Sequence, residues 1–253
     1  LPFQGQIALI TGAASGIGKS CAEIMLEKGS VVVGLDKNHN VVNLFHNNSN
    51  YKGYTCDVTK PKQVERSIKS IISNFGGLDI LVSNAGIFPN SVPLESISDK
   101  KWRHDIDINL TAHHNVLRAC IPFIKNGIES SVVFIGTRNV GAPGPGAGTY
   151  TIAKSGLTQM ARLAALELAP HQIRVNIVHP DCVYDTAVWT KKILQDRAKQ
   201  YGISIKKYKS RNLLKKPVHS RDVAEIVSFL ASKQSAKTTG AQIPVDGGND
   251  RII

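Results

Sequence analysis

Several absences narrow the reading of this sequence before any motif is considered. No apolar run approaches the ~20 residues that a membrane-spanning helix needs. The segment LPFQGQIALITG lacks a basic stretch followed by an apolar one, so it does not read as a secretion signal, and a cytoplasmic location is expected. Cysteine is sparse. The four residues, at 21, 56, 120 and 182, fit neither a metal knuckle nor a disulfide framework and read as free thiols in a reducing compartment. No histidine cluster has metal-ligand spacing. His113 and His114 are adjacent, so on a helix they face different directions, and helix surface or subunit contact is the expected role. Acidic residues almost vanish between 191 and 221, where eleven Lys and Arg meet the single acid Asp196. Residues 186–221 contain only three aromatics, Trp189, Tyr201 and Tyr208, and no nucleic-acid fold signature, so the basic stretch reads as a solvated face and not as a nucleic-acid grip.

What remains is a globular composition: 253 residues, 42% hydrophobic and 20% charged, with a net charge of +12. Short runs rich in Val and Ile recur at 6–11, 31–36, 52–57, 79–84, 131–136, 174–179 and 241–246. Most are continuous, not alternating, as expected for strands buried on both faces of a parallel sheet. Amphipathic helical patterns lie between them at 17–28, 61–75, 99–126, 149–169 and 221–231. The expected fold class is α/β: one Rossmann-type doubly wound parallel sheet of about seven strands, helices on both faces, in a single domain over residues 1–253.

ITGAASGIGKS follows the first strand and opens the first helix, with Gly12, Gly16 and Gly18 spaced G-x-x-x-G-x-G. Glycine lets the backbone turn tightly and approach a pyrophosphate, and the helix N-terminus offers free N–H groups. Ser15 and Ile17 belong to the same candidate loop. Asp36 ends the second strand, where a carboxylate can accept from both ribose hydroxyls and repel a 2′-phosphate; the expected cofactor is therefore NAD. Asp57 and Val58 end the third strand and could reach the adenine edge, while Asn84, Ala85 and Gly86 end the fourth and would let backbone lie against the cofactor.

Tyr150 and Lys154 are spaced i, i+4 and share a helix face. A phenol titrates near 10, and a neighbouring ammonium favours the phenolate, so Tyr150 can exchange a proton with an alcohol. The loop GAPGPGAG, at 141–148, shapes access to the pair. Cys182 reads as a small semi-buried side chain, since no base lies near it in sequence. Trp102 and Trp189 read as packing residues, and Trp189 could also line a substrate pocket.

Together TGAASGIG, Asp36, SNAG, Asn109 within INL and YTIAK resemble the short-chain dehydrogenase/reductase family, over nearly the whole chain from QIALITG to PVDGGND. The resemblance implies that the residue 13 before the tyrosine, here Thr137 where the family has serine, polarises the substrate oxygen. Arg138, beside it, would point elsewhere if the strand continues. Asn109 would hold a water that links Lys154 to solvent, and Tyr150 and Lys154 would also contact the cofactor. Pro180 begins the segment after the sixth strand; Asp181 replaces the usual glycine there and lacks its backbone freedom. Val183 would meet the nicotinamide amide through its backbone, and either Asp185 or Thr186 takes the family's threonine position. Residues 186–216 would cover the substrate. GTRNVGAPGPGAGTY, HPDCVYDTAVWT and AKTTGAQIPVDGGNDRII look like the dehydrogenase part of bifunctional aldolase/short-chain dehydrogenases of the rhamnulose-phosphate aldolase/alcohol dehydrogenase type. That likeness implies a small polar substrate such as lactaldehyde, a polyol or a hydroxy acid, and an aldolase part upstream or as partner; the resemblance to the wider family implies a homotetramer.

Overall fold

The computed structural model describes residues 1–249; residues 250–253, which end the AKTTGAQIPVDGGNDRII stretch, lie outside the described residues. Seven strands form one parallel sheet: β1 (Ile7–Thr11), β2 (Val31–Asp36), β3 (Tyr51–Thr55), β4 (Ile80–Ser83), β5 (Ser131–Ile135), β6 (Arg174–Pro180) and β7 (Gln242–Val245). Their order is β3-β2-β1-β4-β5-β6-β7. The chain winds outward from β1 to β3, then crosses back to β4 on the other side of β1. This reversal opens a crevice at the carboxyl ends of β1 and β4, where ligands bind in such sheets.

Period-two side-chain alternation explains why the strands are apolar on both faces. Leu9, Val33, Leu81, Val132 and Phe134 point into one core, against α2 (Pro61–Phe75), α4 (Ala112–Ile124) and α5 (Gly148–Leu168). Ala8, Ile10, Val32, Val82 and Val133 point into the other, against α1 (Gly16–Glu27) and α8 (Ser220–Ala231). Turn chemistry sets the ends of α2, with Pro61 in its first turn and Gly76 in the left-handed region at its C-cap (φ 82°).

The helical pattern at 99–126 is not one uniform helix. It resolves into α3 (Asp99–Ile106), a π-helical turn over Asp107–Thr111, and α4. The Ala112 N–H reaches back to the Asp107 carbonyl, one residue further than an α-helix allows. That wide turn leaves Asn109 fully buried. The basic stretch carries α6 (Lys191–Gln200) and α7 (Ile205–Lys209), held by a small core of Tyr184, Leu194, Ala198 and Tyr208. Most of its cations face solvent, but the Arg211 guanidinium lies 4.6 Å from the Tyr208 ring centre. Among the described residues no helix is long and apolar enough to cross a membrane, and no group of His, Cys, Asp and Glu is arranged to hold a metal ion.

Candidate active site

The turn from β1 into α1 is fixed by its neighbours. The Thr11 hydroxyl accepts from the Asn84 and Ala85 amides at 2.9 and 3.0 Å. The Asn84 side chain donates to the Thr11 carbonyl at 2.9 Å. Gly12 has φ 68° and Gly16 φ 53°, backbone that side chains rarely adopt. A Cβ on Gly12 would stand 2.7 Å from Asn84 Nδ2, and one on Gly18 2.6 Å from the same atom. Ser15 is the N-cap of α1, exposed and extended, yet its hydroxyl makes no capping bond. The first-turn N–H groups thus face the crevice without a capping side chain or an acidic neighbour, a cradle that suits a pyrophosphate. Ile17 anchors the turn by packing on the α1/α8 core.

Asp36, at the end of β2, accepts from the Ala14 amide at 3.0 Å and the Asn38 amide at 2.8 Å. Its carboxylate is thereby held at the mouth of the loop, each oxygen keeping a further lone pair for a ribose hydroxyl. Burial pushes the Asp57 carboxyl up, but hydrogen bonds from the Thr59 hydroxyl and amide outweigh it and hold Asp57 below the usual carboxylate range. Val58 is buried beside it, and its carbonyl accepts from Asn115 at 3.5 Å. These donors and acceptors fit an adenosine diphosphate laid across the carboxyl ends of β1–β4.

The chemical groups lie one strand further along. Tyr150 sits in the first turn of α5, half-buried, with the Phe88 ring edge-on at 4.9 Å. Its phenol is hydrogen-bonded to the Thr137 hydroxyl. Thr137 ends β5's extension and caps a short 3-10 turn over Arg138–Val140, accepting from the Asn139 amide at 3.3 Å. One turn on from Tyr150, Lys154 is almost fully buried and donates to the Ile135 carbonyl at 2.9 Å. The Asn109 carbonyl oxygen accepts from the Ile87 amide at 3.0 Å, and its buried Nδ2 has no protein partner among the described residues. A Cβ on Gly86 would lie 3.0 Å from that oxygen and 3.6 Å from Lys154 Nζ, so Gly86 is the floor between the two groups.

The electrostatics differ from the sequence expectation. Burial, not the ammonium, dominates Tyr150 and pushes its phenol above the ordinary value; the Thr137 hydrogen bond opposes this and the Asp181 carboxylate adds to it. Burial also brings Lys154 down to about 7, so near neutral pH part of its charge is lost.

Residues 12–250 match the family described as enoyl-(acyl carrier protein) reductase. The chain belongs to the short-chain dehydrogenase/reductase family. It is 34% identical over 259 residues to the uncharacterized oxidoreductase YuxG of Bacillus subtilis, covering 97% of this chain and 37% of that protein. The chain thus spans little more than a third of that relative's length. The ligand-free aldohexose dehydrogenase of Thermoplasma acidophilum superposes with a TM-score of 0.86 at 29% identity, over 99% of this chain and 96% of that one. Carveol dehydrogenase of Mycobacterium avium, solved in complex with NAD, gives 0.88 at 29% identity over 98% of each chain.

In this dehydrogenase/reductase the two residues left open by spacing separate cleanly. The Thr186 methyl lies 3.2 Å from where a Cβ on Gly16 would stand, over the phosphate turn, whereas Asp185 accepts from the Ser220 amide and hydroxyl and ties down the start of α8. Pro180 ends β6, and Val183 is buried and bridged to Val218. The strain expected at Asp181 falls instead on Cys182, which takes φ 47°. Asp181 is engaged: Arg138 Nε lies 3.2 Å from it and the Asn249 amide donates to it. Arg138 therefore turns toward the site, because the strand stops at Ile135 and Thr137 starts a turn.

Two other readings are corrected. His113 is not on the helix surface; it is 2% exposed, while His114 is exposed. Trp102 is 41% exposed and not packed away, whereas Trp189 packs as expected, its ring tilted against Tyr184 with ring centres 5.0 Å apart. Sequence reasoning also missed Thr11 and His179, whose Nδ1 lies 3.2 Å from the Thr137 amide nitrogen. For His113 a signal existed: it stands four residues after Asn109, on the same helical side. A cavity of about 580 Å³ beside Arg174 lies at the amino end of β6, the opposite end of the sheet from Tyr150. Two of its cations are already committed, Arg174 to the Leu230 and Ala231 carbonyls and Lys233 to Glu129.

Proposed function

We propose that this chain is an NAD-dependent oxidoreductase acting on a small polar alcohol or carbonyl compound: a sugar-derived aldehyde such as lactaldehyde, a polyol or a hydroxy acid, free or phosphorylated. The observation that carries the reading is the Tyr150 phenol hydrogen-bonded to Thr137, with Lys154 one turn behind, at the strand ends that also bear the glycine turn and Asp36. When bound, NAD supplies the hydride acceptor or donor at C4 of its nicotinamide. Gly12, Gly16 and Gly18 admit the pyrophosphate, Ser15 and Ile17 frame it, and Asp36 takes the ribose hydroxyls, which favours NAD over NADP.

Thr137 and Tyr150 grip the reacting oxygen. In the oxidative direction Tyr150 accepts the substrate hydroxyl proton; in the reductive direction it returns that proton to the forming alcohol. Lys154 supplies positive charge behind the phenol, and Asn109, with an unfilled amide, offers a donor for the water that connects the lysine to solvent. Threonine in place of serine keeps the hydroxyl and restricts its rotamers.

The finer placement we infer is the dehydrogenase part of a bifunctional aldolase/dehydrogenase, or a partner of a separate aldolase. It is supported by the stretches GTRNVGAPGPGAGTY and HPDCVYDTAVWT. A cytoplasmic homotetramer is part of the same reading, in keeping with the exposed Ile152, Leu163 and Leu166 along α5. The test is reduction of NAD⁺ followed by absorbance, offering lactaldehyde, small polyols, hydroxy acids and their phosphates. NADP⁺ and a Tyr150→Phe variant run in parallel. Turnover with NAD⁺ that is lost in the variant is the expected result. Turnover with NADP⁺ alone would overturn the role given to Asp36, and tight NAD binding without turnover on any substrate would overturn the enzyme.

A further inference from the structure

Lys154 has a second neighbour besides the Ile135 carbonyl: His113 Nε2, at 3.4 Å. The other ring nitrogen, Nδ1, is 2.7 Å from the hydroxyl of Ser83, which is fully buried at the end of β4. The Phe134 ring packs against the imidazole at 6.2 Å between centres, tilted 62°. An ammonium only donates, so the nitrogen facing it must accept. The proton of a neutral imidazole then resides on Nδ1 and is donated to the Ser83 hydroxyl. Burial and the Lys154 charge together hold His113 well below its ordinary value, in agreement with a neutral ring.

We propose that His113 is a positioning residue of the proton-transfer site, its Nε2 accepting from the Lys154 ammonium while Ser83 holds the ring in the tautomer that leaves Nε2 bare. The inference rests on the oxidoreductase reading of the Tyr150 site. Of the three N–H groups on Lys154, the Ile135 carbonyl takes one and His113 a second, which leaves the third for the reacting side of the helix. His113 is no exit for protons, since neither it nor Ser83 reaches solvent. Its effect is on the lysine. Burial favours the neutral amine, and an acceptor at Nε2 favours the charged form that steadies a Tyr150 phenolate.

The charged groups around this pair are few. Lys154 faces His113 from α5, Ser83 from β4 and Asn109 from the π-helical turn are uncharged, and β5 contributes the Ile135 carbonyl. Asp105 on α3 is occupied by the Thr149 hydroxyl and by Lys101. Asp181 raises Tyr150, beyond the pair.

The experiment is an NMR titration of protein labelled with ¹³C-lysine, Lys154 being assigned by the signal missing from Lys154→Arg. It needs no turnover, so its failure is separate from failure of the function, which the Tyr150→Phe assay decides. In His113→Leu the Lys154 midpoint is expected to fall by about one pH unit, a tenfold loss of proton affinity. His113→Gln, which keeps an acceptor, should stay near the wild-type midpoint. In turnover the acid limb of alcohol oxidation should move upward in His113→Leu and not in His113→Gln. An unchanged midpoint in His113→Leu overturns the proposal. Should that variant not fold, Ser83→Ala decides: a lowered midpoint supports it and an unmoved one overturns it.

Discussion

The Gly12 carbonyl oxygen lies against Gly18 so closely that any side chain on Gly18 would overlap it. The contact closes the turn between β1 and α1, and backbone, more than the Asn84 side chain, is what blocks a Cβ. Gly18→Ala is therefore expected to weaken NAD binding at least tenfold, as read by titration calorimetry, with a lowered melting temperature. Gly77→Ala is the control, since nothing lies within 4 Å of a Cβ there, and it should bind NAD like the wild type.

Asp36 ties the loop to β2 through the Ala14 amide while presenting its carboxylate outward. Asp36→Ser keeps a hydrogen-bonding oxygen and removes the charge that repels a 2′-phosphate. The ratio of kcat/KM for NADP⁺ to that for NAD⁺ should rise by about 10- to 100-fold, a change of roughly 1.4–3 kcal/mol in relative transition-state binding. A ratio that stays put would remove Asp36 from cofactor selection.

The Thr137 side chain is engaged through its hydroxyl, to Tyr150 and to the Asn139 amide. Thr137→Ser should retain activity within a few-fold. Thr137→Ala loses a donor aimed at the reacting oxygen, and kcat should drop by about 10²-fold with the fold intact by circular dichroism. Equal activity in both variants would assign the polarising role elsewhere.

Lys154 makes stability depend on pH. Its folded value of about 7 lies below the ordinary lysine value of 10.5, so below pH 7 the buried ammonium exerts its whole destabilising effect. As pH rises from 7 to 10.5 the unfolded chain holds more protons than the folded one, and this penalty fades at up to ~1.4 kcal/mol per pH unit. Lys154→Met should thus be more stable than the wild type at pH 7 in urea unfolding, and the gap should close toward pH 10. A constant gap would mean that Lys154 stays charged across that range.

Much of the architecture was legible because its causes are local. Val and Ile runs such as VVVGLD mark strands buried on both faces, and the core splits along their alternation. The helix at 99–126 was legible as apolar periodicity, but its π-helical turn was not, since one extra residue in a turn leaves the pattern of buried positions nearly intact. The direction of Arg138 was left open for a different reason: it depends on where β5 stops, which Thr137 decides by capping the next turn.

The sequence by itself determined the sheet class, the glycine turn, the acid at the second strand and the Tyr150–Lys154 pair. Each of these is written in spacings of a few residues, through steric demands of the backbone or the pitch of a helix. Only the tertiary structure decided that His113 turns inward to Lys154, that Thr186 and not Asp185 lies over Gly16, and that burial outweighs the ammonium at Tyr150. Those contacts join residues far apart in the chain, His113 with Lys154 and Gly16 with Thr186. Such pairs meet only once neighbouring strands have brought their carboxyl ends together, and the desolvation that shifts their protons exists only inside that assembled core.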